Sequence, residues 1–231
     1  MPMHENNQSK PGMPGSSVTI SGPADPVGIE RQSFAIIDSE VPEPRPFQGE
    51  QWEVARRLVH TSADFELLNL LRFSPGAVQA GVAALRSGAV IVTDTRMCQM
   101  GIPTRRLTPL GATTVCYMND PDVISEAKKL GTTRARVAVE KAASISGPVI
   151  YAVGNAPTAL LRLMELMDQG IVMPELVVGM PVGFVNAAES KALLFTRADT
   201  AFIGISGRKG GSPLAAACLN ALAELALRGT A

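Results

Sequence analysis

Five short apolar runs, separated by longer helical segments, are the feature that most restricts how this chain can fold. The runs begin after Gly88, are rich in β-branched residues and cover residues 89–93, 112–117, 148–153, 175–179 and 201–206. Strands that are apolar on both faces and alternate with helices are typical of a parallel sheet that helices cover on both sides. The pattern predicts an α/β fold with a doubly wound, mostly parallel five-stranded sheet and helices on both faces.

Apolar residues at helical spacing predict helices before the sheet and between its strands. The predicted helices cover residues 28–40, 48–60, 64–72 and 75–86 ahead of the sheet, and 95–101, 120–144, 157–169, 187–196 and 212–228 within it. The sheet is therefore expected to be preceded by N-terminal helices.

Residues 1–26 have a different composition, with five prolines and three glycines among polar residues. A segment of this kind buries too little apolar surface to offset the entropy lost on ordering. We expect a flexible N-terminal tail over residues 1–26 and a single folded domain over residues 27–231.

The charges and cysteines narrow the classes of partner. With 21 acidic and 21 basic residues, the formal net charge is zero, which gives no indication of a nucleic-acid or membrane partner. Cys98, Cys116 and Cys218 are far apart and lack the spacing of a metal site, so we expect no bound metal and a reduced, cytoplasmic protein. The sequence shows neither a signal peptide nor an apolar stretch long enough to span a membrane.

In a doubly wound sheet the active crevice lies beyond the carboxyl ends of the strands. The fifth run ends in a glycine-rich loop with Arg208 and Lys209, followed by Ser212 at a helix start. Free backbone N–H groups, the helix dipole and two cations would form an anion-binding site there, although a solvated turn with a helix cap is the alternative. Neither a Walker A loop nor a GxGxxG fingerprint is present, which is against kinases and Rossmann dehydrogenases.

His60 is the single imidazole of the predicted folded domain, because His4 lies in the predicted tail. An imidazole can give or take a proton near neutral pH, and one alone excludes a site with several histidine ligands. A favourable interaction with the dipole at the end of helix 48–60 is the alternative. Asp94 is expected to cap the helix after the first strand, and Glu189 and Lys191 to form a structural pair without a catalytic role.

Several short motifs follow one another between about residues 28 and 225. They are Ser33-Phe34-Ala35-Ile36-Ile37, Arg57-Leu58-Val59-His60, Phe73-Ser74-Pro75-Gly76-Ala77, Gly131-Thr132-Thr133-Arg134, Gly154-Asn155-Ala156-Pro157-Thr158-Ala159-Leu160, Pro181-Val182-Gly183-Phe184-Val185 with Ala188-Glu189-Ser190-Lys191, and Gly207-Arg208-Lys209-Gly210-Gly211-Ser212. In this order they resemble the precorrin-8X and cobalt-precorrin-8 methylmutase family.

The resemblance implies an enzyme of cobalamin biosynthesis that acts on a tetrapyrrole without a cofactor. Its reaction would be a 1,5-sigmatropic methyl shift from carbon 11 to carbon 12, giving hydrogenobyrinate or its cobalt-containing counterpart cobyrinate. It also implies a homodimer, with His60 as the catalytic residue and Ser33 and Arg134 at active-site positions. Asn155, Arg208, Lys209 and Ser212 are assigned to substrate binding, because the macrocycle carries many carboxylate arms.

Two other functions fit parts of the same pattern. An S-adenosylmethionine-dependent methyltransferase of the pathway would need a glycine-rich cofactor loop, and the typical loop is missing. A non-catalytic tetrapyrrole carrier could use the same crevice and cations. Between the two substrates, the stretch Thr61-Ser62-Ala63-Asp64-Phe65 is closer to the cobalt-dependent branch of the family.

Overall fold

Buried β-branched runs form the central sheet of the protein. The computed structural model describes residues 25–228, in which six strands pair in the order β1-β6-β5-β4-β2-β3. The strands are β1 (Leu71–Phe73), β2 (Val90–Thr93), β3 (Thr113–Val115), β4 (Val149–Val153), β5 (Leu176–Gly179) and β6 (Phe202–Ile205). Strands β2 to β6 pair in parallel, whereas β1 is antiparallel to β6.

The predicted α/β class is confirmed, but the prediction of five strands is wrong. Residues 64–72, predicted as one helix, contain the short helix α3 (Leu67–Leu70) and then β1. The strand has only three residues and follows α3 without a break, so no alternating pattern separates it from a helix. Beyond the strand, Ser74 extends the pairing: its backbone N–H donates to the Phe202 carbonyl (3.0 Å), and its hydroxyl accepts from the Phe202 N–H (2.8 Å).

Helices surround the sheet on both faces. Besides α3 they are α1 (Pro26–Glu40), α2 (Gly49–Ser62), α4 (Ala77–Arg86), α5 (Arg96–Met100), α6 (Thr104–Leu107), α7 (Pro121–Leu130), α8 (Arg134–Ala142), α9 (Pro157–Asp168), α10 (Ala187–Phe195) and α11 (Ser212–Leu227). The single helix predicted over 120–144 is two helices, because Gly131 at φ +62° ends α7 and the Thr133 hydroxyl caps α8.

Alternate residues of the central strands point into two apolar cores. Ile91 and Ile150 face the core with α2, α4 and α11, whereas Val92 and Tyr151 face the core with α8 and α9. Full burial of such a side chain contributes about 1.5–3 kcal/mol to the stability of the fold. The two cores therefore hold the strands, and with them the strand ends, in place. Within residues 25–228, no helix is both long enough and apolar enough to cross a bilayer.

Helix α1 lies outside the sheet and is held by polar contacts to its neighbours. The guanidinium of buried Arg57 on α2 binds Glu30 of α1 (2.9 Å) and Glu224 of α11 (2.6 Å), and Trp52 donates to Asp38 of α1 (2.9 Å). Most of the predicted tail, residues 1–24, lies outside the described residues. The last two tail positions, 25 and 26, form the cap and first residue of α1.

Candidate functional site

Asp94 follows β2 and binds the loop that follows β4. Its buried carboxylate accepts the backbone N–H groups of Gly154 (3.0 Å), Asn155 (2.7 Å) and Ala156 (2.6 Å). Burial raises the pKa of Asp94, while these hydrogen bonds act in the opposite direction. The expected capping role belongs instead to Thr95, whose hydroxyl accepts an N–H at the start of α5, because Asp94 is engaged across the sheet.

The start of α11 lies against the same two strand ends. Buried Ser212 has its hydroxyl 2.7 Å from that of Thr95. A Cβ on Gly154 would lie only 2.7 Å from the Cα of Ser212, so glycine is what permits this approach. The Asn155 side chain is exposed beside this contact. The structure therefore brings Asn155 and Ser212 to one edge, with the Ser212 hydroxyl bonded to Thr95.

The loops that follow β5 and β6 are hydrogen-bonded to each other. The Gly211 N–H donates to the Met180 carbonyl (2.9 Å), and the Gly183 N–H donates to the Arg208 carbonyl (3.2 Å). The exposed Arg208 guanidinium lies 5.3 Å from the centre of the Phe184 ring, which is 82% exposed. This pair offers a positive charge and a flat apolar surface side by side.

Lys209 connects the loop after β6 to the segment that follows His60. Its ammonium binds Asp64 (2.5 Å) and Glu66 (2.7 Å). The hydrogen bond from Lys209 lowers the pKa of Asp64, and the two carboxylates raise the pKa of Lys209. In this structure, the Lys209 side chain therefore joins two parts of the protein.

Lys191 is completely buried in the middle of α10, and its ammonium donates to the Lys209 carbonyl (2.6 Å). The expected pair with Glu189 is not formed, since Glu189 is exposed and no carboxylate of residues 25–228 lies within ion-pair distance of Lys191. Burial lowers the pKa of Lys191 to about 8. The sequence did carry a signal for this burial, because Ala187, Ser190, Lys191 and Leu194 follow the spacing of one helix face and are all buried.

His60 lies in the last turn of α2 and faces a cavity of about 370 Å³ between α1 and α2. The cavity is lined by Ser33, Ile36, Ile37, Glu40, Val59, His60, Ala63 and Phe65. The imidazole is half-buried and meets the Phe34 ring edge-on at 5.3 Å, and no residue between 25 and 228 forms a hydrogen bond with it. Ser33 shares the cavity, but its hydroxyl donates to the Ile29 carbonyl (2.8 Å) of its own helix.

Arg134 begins a helix on the opposite face of the sheet from the helix that carries His60. It is the first residue of α8, is exposed, and makes long hydrogen bonds to the Asn119 side chain (3.3 Å) and the Met118 carbonyl (3.5 Å) beyond β3. Helix α8 packs on the sheet face opposite to α2. Within the described part of the chain, no hydrogen bond or ion pair joins Arg134 to His60.

Metal ligands and thiols add no further chemistry at this edge. Residues 25–228 contain no cluster of three or more His, Cys, Asp or Glu side chains that could hold a metal ion. Cys98, Cys116 and Cys218 are buried free thiols, and burial raises the pKa of Cys98 and Cys218. Of the predicted site residues, His60, Arg208, Arg134 and Asn155 have exposed or half-buried polar groups that a ligand could reach.

Comparisons with known proteins agree with one another. The family model described as Precorrin-8X methylmutase matches residues 28–225. The cobalt-precorrin-8 methylmutase of Priestia megaterium is 46% identical over 201 residues, covering 87% of this chain and 88% of that protein. The precorrin-8X methylmutase of Pseudomonas aeruginosa is 43% identical over 197 residues, covering 84% and 93%. The crystal structure of the precorrin-8X methylmutase of Thermus thermophilus superposes with a TM-score of 0.78 at 45% identity, covering 86% of this chain and 95% of that one.

Proposed function

We propose that this chain, which belongs to the precorrin-8X methylmutase family, carries out its methyl shift at the cavity beside His60. The family makes it an isomerase of cobalamin biosynthesis. The substrate is precorrin-8 or its cobalt-containing counterpart, and the methyl group moves from carbon 11 to carbon 12. The bond at carbon 11 breaks as the bond at carbon 12 forms, and the conjugated double bonds move with it. An isomerisation of this kind consumes no oxidant, reductant or methyl donor.

The imidazole of His60 is the proposed acid. One observation carries this assignment: the imidazole faces an open cavity, and no group in residues 25–228 forms a hydrogen bond with it. When protonated, it can donate to a ring nitrogen of the macrocycle and draw electron density toward that nitrogen as the methyl group migrates. Ser33 also lines this cavity, and its hydroxyl could exchange the Ile29 carbonyl for a macrocycle atom, which supports a role in substrate binding.

The cavity walls suit a flat conjugated ring. Ile36, Ile37, Val59, Ala63 and Phe65 provide an apolar surface around the single imidazole. Once a flat ring covers these walls, water competes less for the imidazolium, which strengthens its hydrogen bond to the ring.

Cations and backbone donors at the carboxyl ends of the strands are proposed to hold the carboxylate arms of the macrocycle. Arg208 and Asn155 are exposed there, next to the glycine-rich loop that contains Lys209 and the start of α11 at Ser212. A guanidinium can bind a carboxylate through two parallel hydrogen bonds. Arg134 begins α8 beside Met118 and Asn119, on the opposite face of the sheet from α2, and would hold a different arm.

Replacing His60 by Ala tests the role of the imidazole. Loss of a general acid typically lowers the rate by about 100-fold to 10,000-fold, so kcat should fall by this much while product binding stays within about threefold of wild type. His60→Gln keeps a hydrogen-bond donor without an acidic proton and should be equally slow. The visible absorption change reports turnover, and near wild-type turnover by His60→Ala would contradict the mechanism.

Substrate assays with the purified chain separate the remaining alternatives. With precorrin-8 in excess and no S-adenosylmethionine, each enzyme molecule should form product many times. A carrier would not catalyse multiple turnovers, and a methyltransferase would not react without S-adenosylmethionine. Precorrin-8X and cobalt-precorrin-8 are compared side by side. The stretch at residues 61–65 supports cobalt-precorrin-8 as the better substrate, with the higher kcat/KM.

We also propose that the chain is a cytoplasmic homodimer. The family resemblance supports the dimer, and the three separate free thiols fit a reducing compartment. Light scattering on the purified full chain measures its mass, and cell fractionation locates the protein. A monomeric mass at micromolar concentration would contradict the dimer.

A further inference from the structure

We propose that Lys191 is a positioning residue for the methyl shift, because it holds the loop after β6 against the segment that follows His60. The inference rests on the proposed function of His60. Lys191 itself is completely buried and does not face the cavity beside His60, so it acts through Lys209 and not on the macrocycle.

The contact that carries the inference is made to the backbone in the middle of the glycine-rich loop after β6. The Lys191 ammonium donates to the Lys209 carbonyl (2.6 Å), and Lys209 is flanked by Gly207-Arg208 and Gly210-Gly211. Glycines give a loop many alternative conformations, so a fixed carbonyl in its middle restricts the loop strongly. This restriction sets the position of Arg208, which precedes the held carbonyl.

A buried ammonium without a carboxylate partner costs folding free energy, which a purely structural residue would not need to spend. A methionine of similar length would fill the same apolar space at lower cost. The presence of a lysine therefore supports a role for its hydrogen bond beyond filling space.

The held loop is also bound to the chain next to the proposed acid. The Lys209 side chain binds Asp64 and Glu66, four and six positions after His60. Lys209 is thus fixed at both ends, by Lys191 at its carbonyl and by the carboxylates at its ammonium. This arrangement sets the distance between the groups that hold the macrocycle and the imidazole that acts on it.

Lys191→Met tests the inference, because it removes the donor and keeps the length of the side chain. Its stability to denaturant should equal or exceed that of wild type, since an apolar side chain replaces a buried charge. Its kcat should nevertheless fall by about tenfold to 100-fold, because a displacement of about 1 Å at a reacting centre can cost about 100-fold. Product affinity should fall by less than kcat does, because the side chains that contact the macrocycle remain and only the position of their loop changes.

Lys129→Met is the matched control, because Lys129 is 74% exposed and lies far along the chain on α7. It should leave kcat, product affinity and stability unchanged. A Lys191→Met protein that loses stability and activity together would overturn the proposal and indicate a structural role.

Lys209→Met tests the same connection from its other end and does not disturb the core, since Lys209 is 41% exposed. It should show the same loss of kcat. The double variant should be no more than about threefold slower than the slower single variant, because both changes break one connection. Multiplying effects, or an unchanged kcat in Lys209→Met, would overturn the proposal even if Lys191→Met failed to fold.

Amide hydrogen exchange separates a failure of this inference from a failure of the proposed function. In Lys191→Met, the amides of residues 206–211 and 63–67 should exchange faster than in wild type, whereas Lys129→Met should match wild type. This measurement needs no substrate. If exchange in both segments of Lys191→Met matched wild type, the proposed connection between the two segments would be overturned. If the wild-type protein showed no turnover, only the proposed function would be overturned.

Discussion

Among single residues, Asp94 and Lys191 are both buried at the edge where the parallel strands end, and they carry opposite charges. Each binds backbone groups of a neighbouring loop: Asp94 accepts three N–H groups, and Lys191 donates to one carbonyl. A buried charge is tolerated when hydrogen bonds replace its lost water. The two residues therefore shape the loops that carry the proposed binding groups.

Replacing Asp94 by Asn should destabilise the protein by about 1–3 kcal/mol, because the new NH₂ group faces a backbone N–H that then lacks an acceptor. Denaturant-induced unfolding measures the loss. Asp168→Asn is the matched control, because Asp168 is 66% exposed in its ion pair with Arg197 and should cost less than about 1 kcal/mol. Equal losses in the two variants would contradict this role of Asp94.

The sequence offered candidate site residues but not their contacts. His60 could be chosen because it is the single imidazole of the predicted domain, and Ser33 because it matches a family motif; both line one cavity. The bond between Lys209 and Asp64 joins residues 145 positions apart, and no local pattern reports such a distance. Lys191 had the spacing of a buried helix position, but its charge favoured an ion pair with Glu189.

At the scale of elements, the loops after β5 and β6 are packed so closely that only a glycine fits at position 210. A Cβ there would lie 2.2 Å from the Met180 carbonyl oxygen. Gly210→Ala should therefore push the two loops apart and weaken product binding by about tenfold, which corresponds to about 1.4 kcal/mol. Spectroscopic titration with the product measures this change.

Gly170→Ala is the control for this variant. Gly170 also has a positive φ, of +68°, but its Cβ would meet nothing within 4 Å. It should cost about 1 kcal/mol of stability and leave product binding unchanged. Weaker product binding in Gly170→Ala as well would show that backbone strain, and not loop contact, causes the effect.

Elements with strong periodicity were predicted, and elements defined by their partners were not. The runs at 148–153 and 175–179 are buried on both faces, which their composition already indicates. Strand β1 exists because β6 offers a free edge, so its residues alone do not identify it. The division of the helix predicted over 120–144 depends on one residue at positive φ, Gly131.

At the scale of the whole molecule, Lys191 should make global stability depend on pH. Its pKa is about 8 in the folded protein against 10.5 for an ordinary lysine, so between these values the unfolded chain binds more protons. The free energy of unfolding of wild type, relative to Lys191→Met, should therefore rise between about pH 8 and 10.5, by up to about 1.4 kcal/mol per pH unit. Below about pH 8 the difference should be constant.

Denaturant titrations of both proteins from pH 7 to about pH 10 check this dependence, and groups common to both proteins cancel in the difference. A difference that stays flat or falls over this range would show that Lys191 is not desolvated as its burial indicates.

The direction of strand β1 decides which rim of the sheet receives the imidazole. Because β1 runs against β6, its first residue, Leu71, lies opposite Ile205 at the finish of β6, and the Leu70 carbonyl accepts the Ser206 N–H (2.8 Å). The chain that leaves α2 just after His60 thus arrives where the parallel strands terminate. If the three-residue strand β1 ran in the opposite direction, the same chain would enter at the far rim of the sheet, about 10 Å away. The imidazole of His60 and the groups proposed to hold the carboxylate arms would then lie on different sides of the molecule.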